Sequence, residues 1–151
     1  MIVDALLAYF HFIAILLLFA FMSVEAVILR NPLDADGVRL IARIDAFYGA
    51  SAGLVLVSGL LRVFLGAKGA AFYSNNPLFY AKVGLFLVVG ALSIAPTLRF
   101  LRWARALRAD PAFLPGADEQ RKTRRAVMAQ IHLAVLLPLL AVLMARGIGY
   151  Q

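Results

Sequence analysis

ALLAYFHFIAILLLFAFMSVEAVIL, running from Ala5 to Leu29, decides the fold. Its 25 residues are interrupted only by His11 and Glu25. A helix needs roughly 20 apolar residues to cross a bilayer core, so this run is long enough to span. Three more runs follow. Ile41 to Leu65 carries Arg43, Asp45 and Arg62 near its ends. Leu78 to Leu98 carries Lys82 one turn inside, and Ala126 to Ala145 contains Gln130 and His132. Backbone polar groups must be satisfied internally in lipid, which favours helices over open strands. The expectation is an all-α polytopic membrane protein. It is one domain, residues 1–151, a four-transmembrane-helix bundle with spans near 5–29, 41–65, 78–98 and 126–145.

Composition agrees. Hydrophobic residues make up 64% of the 151-residue chain, against about 45–50% in a soluble domain. There is no cysteine, which excludes disulfides, thiolate metal sites and thiol nucleophiles. No basic n-region precedes the first run, so it reads as a retained helix rather than a cleaved signal. Asn76 followed by Pro77 reads as an N-cap with proline at the first helical position. Pro96 and Pro138 fall inside apolar runs and predict bends. Gly49 and Gly53, in a run of small residues, form a GxxxG pair that predicts close helix approach.

The net charge of +7 is unevenly placed. Arg30, Arg39 and Arg43 lie between spans one and two. Arg99, Arg102, Arg105, Arg108, Arg121, Lys122, Arg124 and Arg125 lie between spans three and four. Only Arg62, Lys68, Lys82 and Arg146 lie on the opposite side. The positive-inside rule then puts both termini outside and the basic hairpin in the cytoplasm. The expected location is a bacterial inner membrane. Arginines at every third position from Arg99 to Arg108 predict that the third helix continues into the cytoplasm, where the basic hairpin meets anionic lipid. A nucleic-acid partner is not expected.

Ionisable groups at membrane depth are costly and suggest function. They sort into two layers. Near the outer face are His11, about 9 Å below Ala5, Lys82, about 6 Å below Leu78, and Arg62. Near the inner face lie Glu25, Arg43, Asp45, Gln130 and His132, of which Glu25, Asp45 and His132 form a possible polar cluster. Histidine is a common haem ligand, and a neutral lysine amine can also coordinate. Arg62 and Lys68 would supply charge for propionates. The alternative is structural: Lys82 snorkels to the interface and His11 hydrogen-bonds within the bundle. No hydrolase nucleophile motif, P-loop or dinucleotide fingerprint occurs.

YFHFIAILLLFA, GLLRVFLGAKGAAFYSNNPLFYAKVGLFL and LSIAPTLRFLRW carry a resemblance to an uncharacterised family of small four-helix bacterial membrane proteins. More distantly, the chain is similar to HemJ-type protoporphyrinogen oxidases and to copper-resistance membrane proteins. HemJ proteins carry a histidine in the first helix and a lysine at the start of the third, both implicated in binding b-type haem. The matching positions are His11 in YFHF and Lys82 in YAKVGLF. The resemblance implies haem b held by His11 and Lys82 at the iron, with Arg62 near the propionates, in a haem-dependent membrane oxidoreductase. The rival expectation is a non-enzymatic membrane protein: a small carrier, a homo-oligomer or an accessory subunit of a larger complex. The scarcity of histidine and the lack of cysteine argue against a dedicated copper site.

Overall fold

The computed structural model describes residues 2–66 and 69–149, and among these it is helical without strands. The helices are α1 (Ile2–Ile28), α2 (Ala35–Leu65), α3 (Gly69–Ser74), α4 (Pro77–Ala109), α5 (Ala117–Ala134) and α6 (Leu136–Ala145). Four units are long and apolar enough to cross a membrane: α1, α2, α4, and α5 with α6 as one span over Ala117–Ala145. Side chains such as Phe64, Leu16 and Leu65 point outward with more than half their surface open. Water would penalise that arrangement, whereas lipid accepts it.

Two of the helix starts have a local cause. Asp34 caps α2 by accepting from the Gly37 amide at 2.7 Å, so α2 begins before the apolar run at Ile41. Asn76 caps α4, its Oδ1 accepting from Leu78 N at 2.9 Å, with Pro77 next. The Asn76 amide also donates to the Ile148 carbonyl, tying the end of the fourth span to the start of the third. Helix α2 ends at Gly66, whose N–H bonds Arg62 O. A Cβ there would sit 2.2 Å from that same oxygen, so only glycine fits.

The α4 helix is 33 residues long, about 50 Å at 1.5 Å per residue. That is about 20 Å more than the hydrocarbon core. The surplus forms the arginine-rich extension, which docks on α5. Trp103 is fully buried and its indole N–H donates to Glu119 Oε2 at 3.0 Å. Arg102 pairs with the same carboxylate, and Arg99 donates to Thr123. Two of the four regularly spaced arginines therefore have partners on α5, Arg102 from the exposed surface and Arg99 from a half-buried position. Helix α5 also secures the α1–α2 turn. The Gln120 side chain donates to the Leu29 and Asn31 carbonyls and accepts from Leu33 N.

The two internal prolines behave differently. A proline leaves the carbonyl four residues earlier without its helical donor. For Pro138 that carbonyl belongs to Ala134, where α5 ends, and the fourth span is broken at Val135. For Pro96 it belongs to Leu92. There the Gln130 Nε2 donates across from α5 at 3.4 Å, and α4 continues without interruption.

Helix α1 packs on α2 and α5, and α4 packs on α2, α5 and α6. The diagonal pairs make no close backbone approach, and neither does α6 to α1. Consequently the fourth span leaves α1 beyond Val135 and stays on α4. Two apolar clusters fill the rest. One, at the arginine-rich end, centres on Val38, Ile41, Phe100, Trp103 and Val127. The other, nearer the middle, is built on Leu18, Met22, Tyr48, Val89 and Ala134.

The GxxxG expectation is corrected within the single chain. A Cβ added at Gly49 or Gly53 would meet nothing within 4 Å, so both face outward. The glycine that permits close approach is Gly59, where a Cβ would lie 3.3 Å from His11 Cε1.

Candidate functional site

At the arginine-poor end, three helices bring His11, Arg62 and Lys82 together. Arg62 and Lys82 lie close enough to His11 for their charges to act on it, and on one another. His11 is 9% exposed. Its ring rests against Gly59, and its Nδ1 lies 2.8 Å from Ser58 Oγ.

The hydroxyl of Ser58 fixes the imidazole. Its one proton is directed at the Leu54 carbonyl, 2.5 Å away. With that proton on Leu54 the Ser58 oxygen is left to accept, which favours the tautomer protonated at Nδ1. In that tautomer Nε2 keeps its lone pair. A histidine oriented through one nitrogen and free at the other is the arrangement seen where the ring ligates a metal.

Arg62 adds a second unmet demand. Its Nε is buried with no hydrogen-bond partner among the described residues. A guanidinium with an open buried N–H, beside a lysine, favours an anion such as a carboxylate. Lys68, the other cation expected here, lies outside the described residues. Among the described residues no group of three or more His, Cys, Asp or Glu side chains is placed to hold a bare metal ion.

The inner residues are divided. Glu25 on α1 and Asp45 on α2 are buried and near one another, and Gln130 is buried with them from α5. His132 is not brought into this group. Its side chain is exposed, and its Nδ1 lies 2.6 Å from the Met128 carbonyl of its own helix. Arg43 lies instead on a groove at the arginine-rich end with Arg39 and Arg108, floored by Ala42, Ala104 and Leu107.

Several contributors escape a reading based on charge alone. Ser58 and Gly59 stand one turn before Arg62, and a small polar residue next to a glycine inside a span was the available signal. Tyr48 and Thr97 complete the inner group. Neither has a sequence signal apart from being polar inside an apolar run.

This is a four-helix integral membrane protein with a polar site at each of two depths. The chain belongs to the family described as predicted membrane protein (DUF2214), whose model matches residues 3–149. No curated protein and no solved structure matches it.

Proposed function

We propose that this protein binds b-type haem at the arginine-poor end of the bundle and serves a redox-linked role, as its HemJ-like features imply. One observation carries the reading: His11, Arg62 and Lys82 come from three different helices to within reach of one another's charge, with no partner for the His11 Nε2 among the described residues. His11 would provide one iron ligand and Lys82, as the neutral amine, the other, with Arg62 facing the propionates. Haem, when bound, supplies one-electron chemistry. The protein's own part is to orient the imidazole through Ser58, to leave room for it at Gly59, and to set positive charge beside an anionic edge. Surrounding lipid-facing side chains would keep water from the haem.

Titrating haem into the detergent-purified protein tests the reading. A Soret band that saturates at one haem per chain, and that is lost in His11→Ala, is expected. A folded protein that leaves haem with the spectrum of its detergent-bound form overturns it.

A second reading is favoured by the open glycines. Gly49 and Gly53 face outward with nothing against them, which suits a homo-oligomer or an accessory subunit packing on a larger membrane complex. Co-purification with partner chains and without a cofactor distinguishes it. In either case the exposed arginines of the hairpin, with Arg39, Arg43 and Arg108 around one groove, would rest on anionic lipid headgroups on the cytoplasmic side.

A further inference from the structure

A polar layer crosses the bundle between its two apolar clusters, with one contribution from each span. On α1, Glu25 follows Met22 of one cluster and precedes Ala26 of the other. On α2, Asp45 lies between Ile41 and Tyr48, on α4 Thr97 lies between Val89 and Phe100, and on α5 Gln130 lies between Val127 and Ala134. Three of its four members are buried, Glu25 at 3% exposed, Asp45 at 6% and Gln130 at 2%, and Thr97 is half-buried.

Most of its polar atoms have partners. Thr97 donates to Asp45 Oδ1 at 2.8 Å. Gln130 serves the Leu92 carbonyl released by Pro96. Tyr48 has Ser93 within hydrogen-bonding reach. Glu25 is different. Its Oε1 is fully buried with no hydrogen-bond partner among the described residues. It faces Asp45 and Tyr48, close enough to Asp45 for like charges to repel. No lysine, arginine or histidine among the described residues is near enough to offset either carboxylate. Arg43 lies on the loop groove, Arg99 is turned to Thr123, and His132 is turned outward.

Two facing carboxylates without a cation, at membrane depth, cannot both stay ionised. We propose that Glu25 and Asp45 form an intramembrane proton-binding site, with the exchangeable proton carried on Glu25. Asp45 is the better anion of the two because it accepts the Thr97 hydrogen bond. Glu25 has no such donor and meets the membrane's demand for neutrality by binding a proton. The site shares α1 and α2 with His11 and Ser58 but lies about four helical turns away along them, and it stands whether or not His11 holds haem.

Infrared spectroscopy of the full-length protein in nanodiscs at neutral pH tests this directly. The chain has only two glutamates, Glu25 and Glu119. Glu119 is held as an acceptor by Arg102 and Trp103, so labelling all glutamate with ¹³C at the side-chain carboxyl isolates Glu25. A carboxylic-acid C=O band that shifts on this labelling, and disappears in Glu25→Gln, is expected. The labelling arm needs no variant, so a poorly folding Glu25→Gln does not spoil it. Absence of any label-shifted acid band overturns the proposal. So does a band removed by sodium ions at fixed pH, which would make the layer a metal-cation site instead.

Discussion

Ser58 accepts a hydrogen bond from His11 Nδ1 at 2.8 Å while donating its own proton to the Leu54 carbonyl at 2.5 Å. One hydroxyl thus favours the tautomer in which Nε2 keeps its lone pair. Losing such an orienting partner typically weakens metal binding about 10–100-fold. Ser58→Ala is expected to lower haem affinity by that order while leaving the fold intact, and Ser58→Thr, which keeps the hydroxyl, is expected to restore most of it. Parallel haem titrations check both. Equal affinity in Ser58→Ala and the parent would contradict the orienting role.

The partnership of Gln130 with Leu92 exists because Pro96 removes a helical donor. Gln130→Leu leaves a carbonyl unpaired inside the bundle, at a cost of about 1–3 kcal/mol. Pro96→Ala restores the backbone N–H and makes Gln130 dispensable. Thermal unfolding of the two single variants and the double variant in detergent should show this as non-additivity: Gln130→Leu is damaging with Pro96 present and mild without it. Additive losses would contradict the account.

Gly59 and the Gly49–Gly53 pair should separate cleanly. Gly59→Val drives side-chain atoms into His11, whose ring is already 3.3 Å from where a Cβ would stand, and is expected to disturb both stability and haem binding. Gly49→Ala and Gly53→Ala meet open space and are expected to change monomer stability by less than about 0.5 kcal/mol. Any effect they have should instead show in oligomeric state, read by analytical ultracentrifugation in detergent.

The contrast among these glycines marks where the sequence stops being legible. Hydropathy places the four spans because apolar length is a local property. The Asn76–Pro77 start of α4 is legible for the same reason, since its cap lies within two residues. The start of α5 at Ala117 is not, because Asp118 to Arg125 is charged and its helix depends on docking against Trp103 and Leu33. Helix rotation is not legible either. Gly49, Gly59 and His132 all sit in apolar runs, and only packing decides that Gly59 turns inward while the other two turn out. The two prolines make the same point. Each loses the same hydrogen bond, yet α4 continues because Gln130 reaches across from another helix. The outer trio of His11, Arg62 and Lys82 was legible as residues at similar depth, and their meeting depended on three helices arriving with the right faces.

The docking of the α4 extension rests on Glu119, which takes both the Trp103 indole N–H and Arg102. Glu119→Ala leaves that indole N–H, on a fully buried tryptophan, without its acceptor. A loss of about 1–3 kcal/mol is expected, together with greater exposure of Trp103. As the single tryptophan of the chain, it makes its own fluorescence the readout, with a red shift expected. An unchanged spectrum would show that the extension holds its place without this contact.

The most direct test of the central claim is to quantify haem in protein purified from membranes of cells supplied with ample haem, alongside its absorption spectrum. One haem b per chain is expected, with a low-spin, six-coordinate spectrum that becomes five-coordinate in Lys82→Ala and is lost in His11→Ala. A correctly folded, colourless protein, or a spectrum indifferent to both substitutions, would contradict it.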